Sequence, residues 1–284
     1  MKPATFRYAR PETLEEAVAL LAASEGEGRL IAGGQSLLPM LNMRLARPAV
    51  LIDVALVAEL QVLARERDEL VIGAGVRQRT AETSAVVLEG CPLVPLALRY
   101  VGHLQIRNRG TIGGSLAHAD PTAELPGVAV ALDAALVAVS PRGRRIIAAR
   151  DFFLGPRTTA LNDDEVLTEM RLPVLSATRY AFLEVARRSF GLAIAGVAAA
   201  VRFEEDGRVA QARLAAIGVG AAPLRLSSAE EAARDGDLGP AERARIAAAA
   251  VEDTERLNGA GRDAAYRRRV VGALLSRALA EVAT

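Results

Sequence analysis

The stretch Arg107–Pro126, RNRGTIGGSLAHADPTAELP, constrains the fold more than any other part of this chain. It carries three glycines, two prolines and two carboxylates, with Arg, Thr and Ser close together. Small and polar residues in such density lose much conformational entropy when held in one shape, so the segment reads as a long, ordered loop. A plain connection needs neither Gly113-Gly114 nor the hydroxyls beside it. A second glycine pair stands in Ala32-Gly33-Gly34-Gln35-Ser36, after an expected strand at Arg29–Ile31 and before an expected short helix.

Paired glycines admit positive φ and leave the main chain bare, so successive N–H groups can converge on an anion. Ser36, Thr111 and Ser115 add hydroxyl donors, and a helix after Ser36 adds its positive end. Thr111-Ile112-Gly113-Gly114-Ser115 and Ala32–Ser36 together are expected to hold a pyrophosphate without a lysine. Each run alone also reads as a tight turn, because short glycine motifs recur by chance; their joint occurrence favours the cradle. Gly73-Ala74-Gly75 after a strand imitates a dinucleotide-binding turn, but Gln78 stands where the third glycine belongs. It is read as a strand end in close packing. Ala216–Pro223 is set aside for similar reasons.

The bulk numbers bound the alternatives. The 284 residues suffice for two domains, and a 51% hydrophobic content fills a core without crosslinks or metals. Basic and acidic residues nearly cancel, 35 against 34, so no general field draws the chain to nucleic acid. Arg142–Arg145 and Arg267-Arg268-Arg269 are read as solvated faces. Cys91 is the sole cysteine and there are two histidines, which excludes an intrachain disulfide and a cysteine-ligated cluster or zinc site built from this chain alone. Cys91 itself reads as a small buried apolar residue. The N-terminus lacks a signal-like apolar region, and AIAGVAAAV is too short to span a bilayer. A soluble, cytoplasmic protein is expected, with no transmembrane segment.

Along the chain, Thr5–Tyr8 reads as a strand. PETLEEAVALLAAS reads as a helix opened by a Thr13/Glu16 capping box. AVLIDV reads as a buried strand, and hairpins are expected around Arg67-Asp68, Ser140–Gly143 and Glu204–Gly207. Helices are expected over PLVPLALRYVG and Leu125–Leu132, and a strand over Glu165–Leu172 ending at Pro173. After Pro173 the texture changes to a small sheet followed by two alanine-rich helical stretches. The fold class is therefore α+β, with a first domain over 1–176 (subdomains about 1–56 and 57–176) and a second over 177–284. Catalytic groups are sparse. His118 reads first as a histidine meeting local hydrogen bonds, and Asp120 and Glu124 as a helix cap and first-turn acid, or as acceptors for ligand hydroxyls. Phosphate cradles without catalytic groups point to a cofactor that brings the reactivity.

Taken in order, AGGQSLLPMLNMRLARP, LIDV, IRNRGTIGGSLAHADPTAELP, ALDA, DFFLGP and ARRSFGLAIAGVAAA resemble, over essentially the whole chain, the medium FAD-binding subunit of molybdenum hydroxylases. Within the xanthine dehydrogenase family, the resemblance is greatest to the carbon monoxide dehydrogenase medium subunit. It implies a two-subdomain FAD-binding domain of the vanillyl-alcohol-oxidase (PCMH) type and a small C-terminal sheet-plus-helices domain. It implies noncovalent FAD bound at Ala32, Gly33, Gly34, Gln35, Ser36 and Leu37 and at Thr111, Ile112, Gly113, Gly114 and Ser115. Glu124 matches a ribityl-contacting carboxylate, Asp120 lies in the same segment, and Leu167 matches a backbone position near the flavin ring. Molybdopterin and two [2Fe-2S] clusters are implied on a large and a small partner subunit, in a heterotrimer that is itself doubled. One departure stands out. Relatives carry Asp followed by an aromatic where this chain has Gly191-Leu192, so Leu192 would cover the ring more weakly, or Phe190 would substitute. The rival readings are a self-sufficient flavoenzyme of the same superfamily and a nonenzymatic nucleotide-binding scaffold.

Overall fold

The computed structural model describes residues 2–255 and 263–284. Its first unit alternates strand and helix: β1 (Arg7–Ala9), α1 (Leu14–Ala22), β2 (Gly28–Ile31), α2 (Leu37–Asn42) and β3 (Val50–Asp53). The three strands pair in parallel in the order β1-β3-β2, which a helix between consecutive strands permits. Thr13 caps α1, its Oγ1 accepting from the Glu16 N–H at 3.2 Å. The Glu16 carboxylate reaches back to the Glu12 N–H at 2.8 Å, one residue earlier than the capping-box pattern expects. Ala17, Val18 and Leu21 then bury against Val50 and Ile52.

The second unit begins with a 3-10 turn at Ala58–Gln61 and the hairpin of β4 (Leu63–Glu66) and β5 (Glu69–Gly73), where Arg67 takes φ 55°. Short helices α3 (Gln78–Thr83), α4 (Ala85–Gly90), α5 (Leu93–Leu98), α6 (Leu104–Arg107), α7 (Ile112–His118) and α8 (Glu124–Ala131) follow. Then come β6 (Ala135–Ser140), β7 (Gly143–Ala148), α9 (Ala149–Phe152), the short pair β8 (Phe153–Gly155) and β9 (Thr158–Thr159), and β10 (Val166–Pro173). The main sheet runs β4-β5-β10-β6-β7, its consecutive pairs antiparallel. Arg107–Pro126 is thus largely helical rather than a loop: Thr111 caps α7, its Oγ1 accepting from the Gly114 N–H at 3.0 Å. Cys91 is fully buried, and burial pushes its thiol up to about 12.

The third unit is an antiparallel sheet, β11 (Thr178–Ala186), β12 (Ala193–Phe203), β13 (Val209–Ile217) and β14 (Leu224–Arg225), followed by α10 (Ser227–Ala233), α11 (Pro240–Glu255) and α12 (Ala264–Ala283). Three helices are described where the sequence suggested two stretches. β12 explains the alanine-rich run. Ala198 and Ala200 face the core of the second unit, while Val197, Ala199 and Val201 face the core under the three helices. A strand covered on both faces is apolar at every position, and small side chains let both layers approach. Near this seam Arg213 and Arg225 each lie 3.0 Å from a carboxylate oxygen of Asp133.

Candidate functional site

The two glycine runs, far apart in sequence, lie side by side. A Cβ placed on Gly33 would stand 2.3 Å from the Arg109 carbonyl oxygen and 2.7 Å from the Gly110 Cα. Only a bare backbone permits that approach. Gly34 turns the chain at φ +72°, a conformation that side-chain-bearing residues rarely adopt. Gly113 is held against Ala74, where an added Cβ would meet the Ala74 Cβ at 2.3 Å, and its N–H donates to the Ala74 carbonyl at 2.9 Å. The Gly73–Gly75 run is therefore close-packed, as read, and it also buttresses the second glycine run.

A cavity of about 1320 Å³ opens over this junction, lined by Ala32–Leu37 and by Thr111, Gly113, Gly114 and Ser115. Ile112 is fully buried behind it. Asp120, Glu124 and Leu167 line the same cavity. The lining also includes Gly28, Arg29, Asn162 and Asp163, and Val101, Gly102, Ile106 and Phe190–Leu192. A shallower depression of about 510 Å³ at Glu25, Arg142 and Asp164 shares Leu21, Gly26, Asn162 and Asp163 with it, and is its outer continuation.

The two runs differ in what their main chain offers. Among the described residues, the N–H groups of Gly33, Gly34, Gln35 and Ser36 donate to no acceptor in the chain. They are free for a ligand. The N–H groups of Ile112, Gly113, Gly114 and Ser115 are already spent on Val76, Ala74 and Thr111. The second run gives the cavity shape and the Ser115 hydroxyl rather than a row of free donors. α2 spans six residues, so its end adds little field of its own. Three arginines that the sequence did not single out, Arg29, Arg47 and Arg157, also line the cavity and give it positive charge. Arg29 stands just ahead of the first glycine run, whereas Arg157 is far from both runs in sequence, and only the fold gathers it. The other arginine runs also carry more than solvation. Arg145 pairs with the buried Glu165 at 2.6 Å, and Arg267 donates to the carbonyls of Ile194 and Gly218, both at 2.6 Å.

The acids separate by environment. Asp120 Oδ1 accepts from the Thr122 N–H (2.9 Å) and hydroxyl (2.7 Å), so it shapes the turn before α8. Glu124, at the first turn of α8, is 8% exposed. Burial, then the nearby Glu184, pushes its carboxyl up to about 8, so near neutral pH it is a protonated hydrogen-bond donor. Glu184 is raised to about 7 by burial, and its Oε2 has no partner. His118 lines the cavity with its pKa lowered, chiefly by burial, which favours the neutral ring. Among the described residues no group of three His, Cys, Asp or Glu side chains could hold a metal, and no helix is long and apolar enough to cross a membrane.

The chain's relatives share this architecture. Residues 4–175 match the family of the FAD binding domain in molybdopterin dehydrogenase, and residues 180–282 match the CO dehydrogenase flavoprotein C-terminal domain. The chain is 36% identical to the 6-hydroxypseudooxynicotine dehydrogenase complex subunit alpha of Paenarthrobacter nicotinovorans, over 99% of this chain and 95% of that one. It is 36% identical to the carbon monoxide dehydrogenase medium chain of Hydrogenophaga pseudoflava, over 98% and 97%. Quinoline 2-oxidoreductase from Pseudomonas putida 86 superposes with a TM-score of 0.93 at 33% identity, covering 100% of this chain and 98% of that one. The chain therefore belongs to the FAD-binding medium subunits of the molybdopterin-dependent dehydrogenases, and is an oxidoreductase subunit of the carbon monoxide and xanthine dehydrogenase type.

Proposed function

We propose that this chain binds FAD noncovalently in the cavity and works as an electron-transfer subunit. It would take electrons from the [2Fe-2S] clusters of a small partner subunit and pass them to an external acceptor. The observation that carries this reading is the backbone contact of Gly33 with Arg109–Gly110 beneath a cavity large enough for a dinucleotide. The flavin, when bound, supplies the chemistry by exchanging electrons singly with the clusters and in pairs with an acceptor.

The chain's own residues bind and orient. The free N–H groups of Gly33–Ser36 receive the diphosphate, and Ser115 adds a hydroxyl beside it. Arg29, Arg47 and Arg157 offset its charge. The protonated Glu124 donates to a ribityl hydroxyl, with Asp120 next to it, and the backbone at Leu167 flanks the ring. Substrate oxidation belongs to a molybdopterin centre on a large partner subunit, so the three chains form a heterotrimer, doubled in the full assembly and residing in the cytoplasm. Working domain limits of 1–176 (subdomains about 1–56 and 57–176) and 177–284 accompany this reading.

The test is direct. The purified chain, after incubation with FAD and gel filtration, should retain a stoichiometric yellow flavin that denaturation releases, and should turn over no primary substrate alone. Colourless protein that cannot be loaded overturns the reading. Turnover by the lone chain favours a self-sufficient flavoenzyme, for which His118 and Glu124 line the cavity.

A further inference from the structure

Beside the junction of the two glycine runs sits a glutamine whose side chain the fold buries without bonding it. Gln78 opens α3, lines the cavity and is 4% exposed. Among the described residues its Oε1 has no hydrogen-bond partner, and its Nε2 donates to no acceptor in the chain. Buried amides in folded proteins are bonded as a rule, because an unpaired polar group out of water is costly. One left unpaired at the wall of a cavity marks a place where a ligand bonds it.

The main chain fixes where that amide lies. The Gln78 N–H donates to the Gly110 carbonyl at 2.8 Å, and the Ile112 N–H donates to the Val76 carbonyl at 3.0 Å. Arg77 Nη1 donates to the Arg109 carbonyl. Residues 76–78 are thereby laced to residues 109–112. Gly110 is the link between the amide and the first glycine run. A Cβ on Gly110 would stand 2.5 Å from Gln78 Oε1, and a Cβ on Gly33 would stand 2.7 Å from the Gly110 Cα. Gln78, Gly110 and Gly33 are therefore successive neighbours along the cavity wall.

The two ends of the amide differ. Oε1 is turned against Gly110, whose own N–H is spent on the Ile106 carbonyl at 2.7 Å, so no donor meets it there. Nε2 is the end left for the cavity. It adds a side-chain donor to the free N–H groups of Gly33–Ser36. Donors gathered in this way suit a group that only accepts, which a phosphate does.

We propose that Gln78 is a further ligand of the diphosphate, its Nε2 donating to a phosphate oxygen of the dinucleotide held by Gly33–Ser36. This rests on the reading that the cavity binds FAD. It makes the amide unfavourable in the empty chain and favourable in the loaded one, so replacing it has effects of opposite sign in the two states.

Gln78→Met, which keeps the length of the side chain and removes both polar atoms, tests the proposal in the full-length chain. Stripped of flavin, Q78M should melt at or above wild type, because an unpaired oxygen has gone. Its FAD dissociation constant should rise about tenfold, the order expected for one hydrogen bond to a charged group. ADP, which carries a diphosphate without the flavin, should weaken as a competitor by the same factor. Gln78→Glu, which sets a carboxylate against the phosphates, should weaken FAD more than Q78M does. An unchanged FAD dissociation constant in Q78M overturns the assignment and leaves FAD binding standing. So does a flavin-free Q78M that melts below wild type or fails to fold, since the amide then serves the structure alone. Weakened FAD with unaltered ADP moves the contact off the diphosphate and also overturns it. Wild-type protein that takes up no FAD overturns both readings.

Discussion

Gly33 shows how much can rest on one hydrogen atom. Its φ is not in the left-handed region, so alanine is conformationally tolerated there, and the obstacle is contact with Arg109 and Gly110. Gly33→Ala is expected to force the two runs apart at a cost of about 1–3 kcal/mol and to abolish FAD retention. Thermal denaturation and the flavin absorbance of the purified variant check both effects. Glu124 carries a pH dependence whose sign is set by its raised pKa. The unfolded carboxyl ionises near the ordinary 4.5, the folded one near 8. Its favourable contribution is therefore complete below about pH 4.5 and lost progressively as pH rises to about 8. Glu124→Gln, uncharged and of similar shape, should match wild type in the apo chain at the acid end and melt higher than wild type above about pH 8. Equal melting temperatures across the range would mean that Glu124 ionises without penalty.

At the scale of elements, the short helices around the cavity depend on side chains that satisfy their ends. α6 spans four residues and has no side-chain cap, so propensity alone does not hold it. Arg107 does so by binding Val101, Gly102 and Glu82 at once, with its side chain 10% and that of Glu82 11% exposed. Arg107→Ala leaves these acceptors without their donor in a poorly solvated place, and should cost about 3 kcal/mol of unfolding free energy in urea denaturation. At the other extreme, the sequence read α1 and the hairpins of β4–β5, β6–β7 and β12–β13 correctly because their signals are local: a capping threonine, a period of apolar residues, a turn residue between strands. Arg107–Pro126 was misread as a loop for a physical reason. Glycine pairs lower helix propensity, yet the Thr111 cap and burial of Ile112 and Leu116 outweigh that preference.

At the scale of the whole molecule, the second and third units share one core through β12 and β13. Ile217 is 1% exposed and packs against Gly127 of α8, where an added Cβ would lie 2.6 Å from its Cγ2. Buried side chains that belong to both units couple their unfolding. Calorimetry should show a single transition. Ile217→Asp should lower that transition by about 3 kcal/mol or more, through burial of an unpaired charge, rather than split it in two. Two resolved transitions in wild type would contradict the shared core.

The sequence by itself determined the α+β class, the family and the two glycine runs at Ala32–Ser36 and Thr111–Ser115, because these depend on residue type and short spacing. It also exposed the substitution of Leu192. Only the tertiary structure decided that the first run keeps its amides free while the second spends them on Val76, Ala74 and Thr111, since a hydrogen bond is consumed by whatever acceptor folds against it. Tertiary structure likewise brought Arg29, Arg47 and Arg157 to one cavity and set Phe190 on His103. Partners separated by tens of residues leave no periodic trace in a single chain.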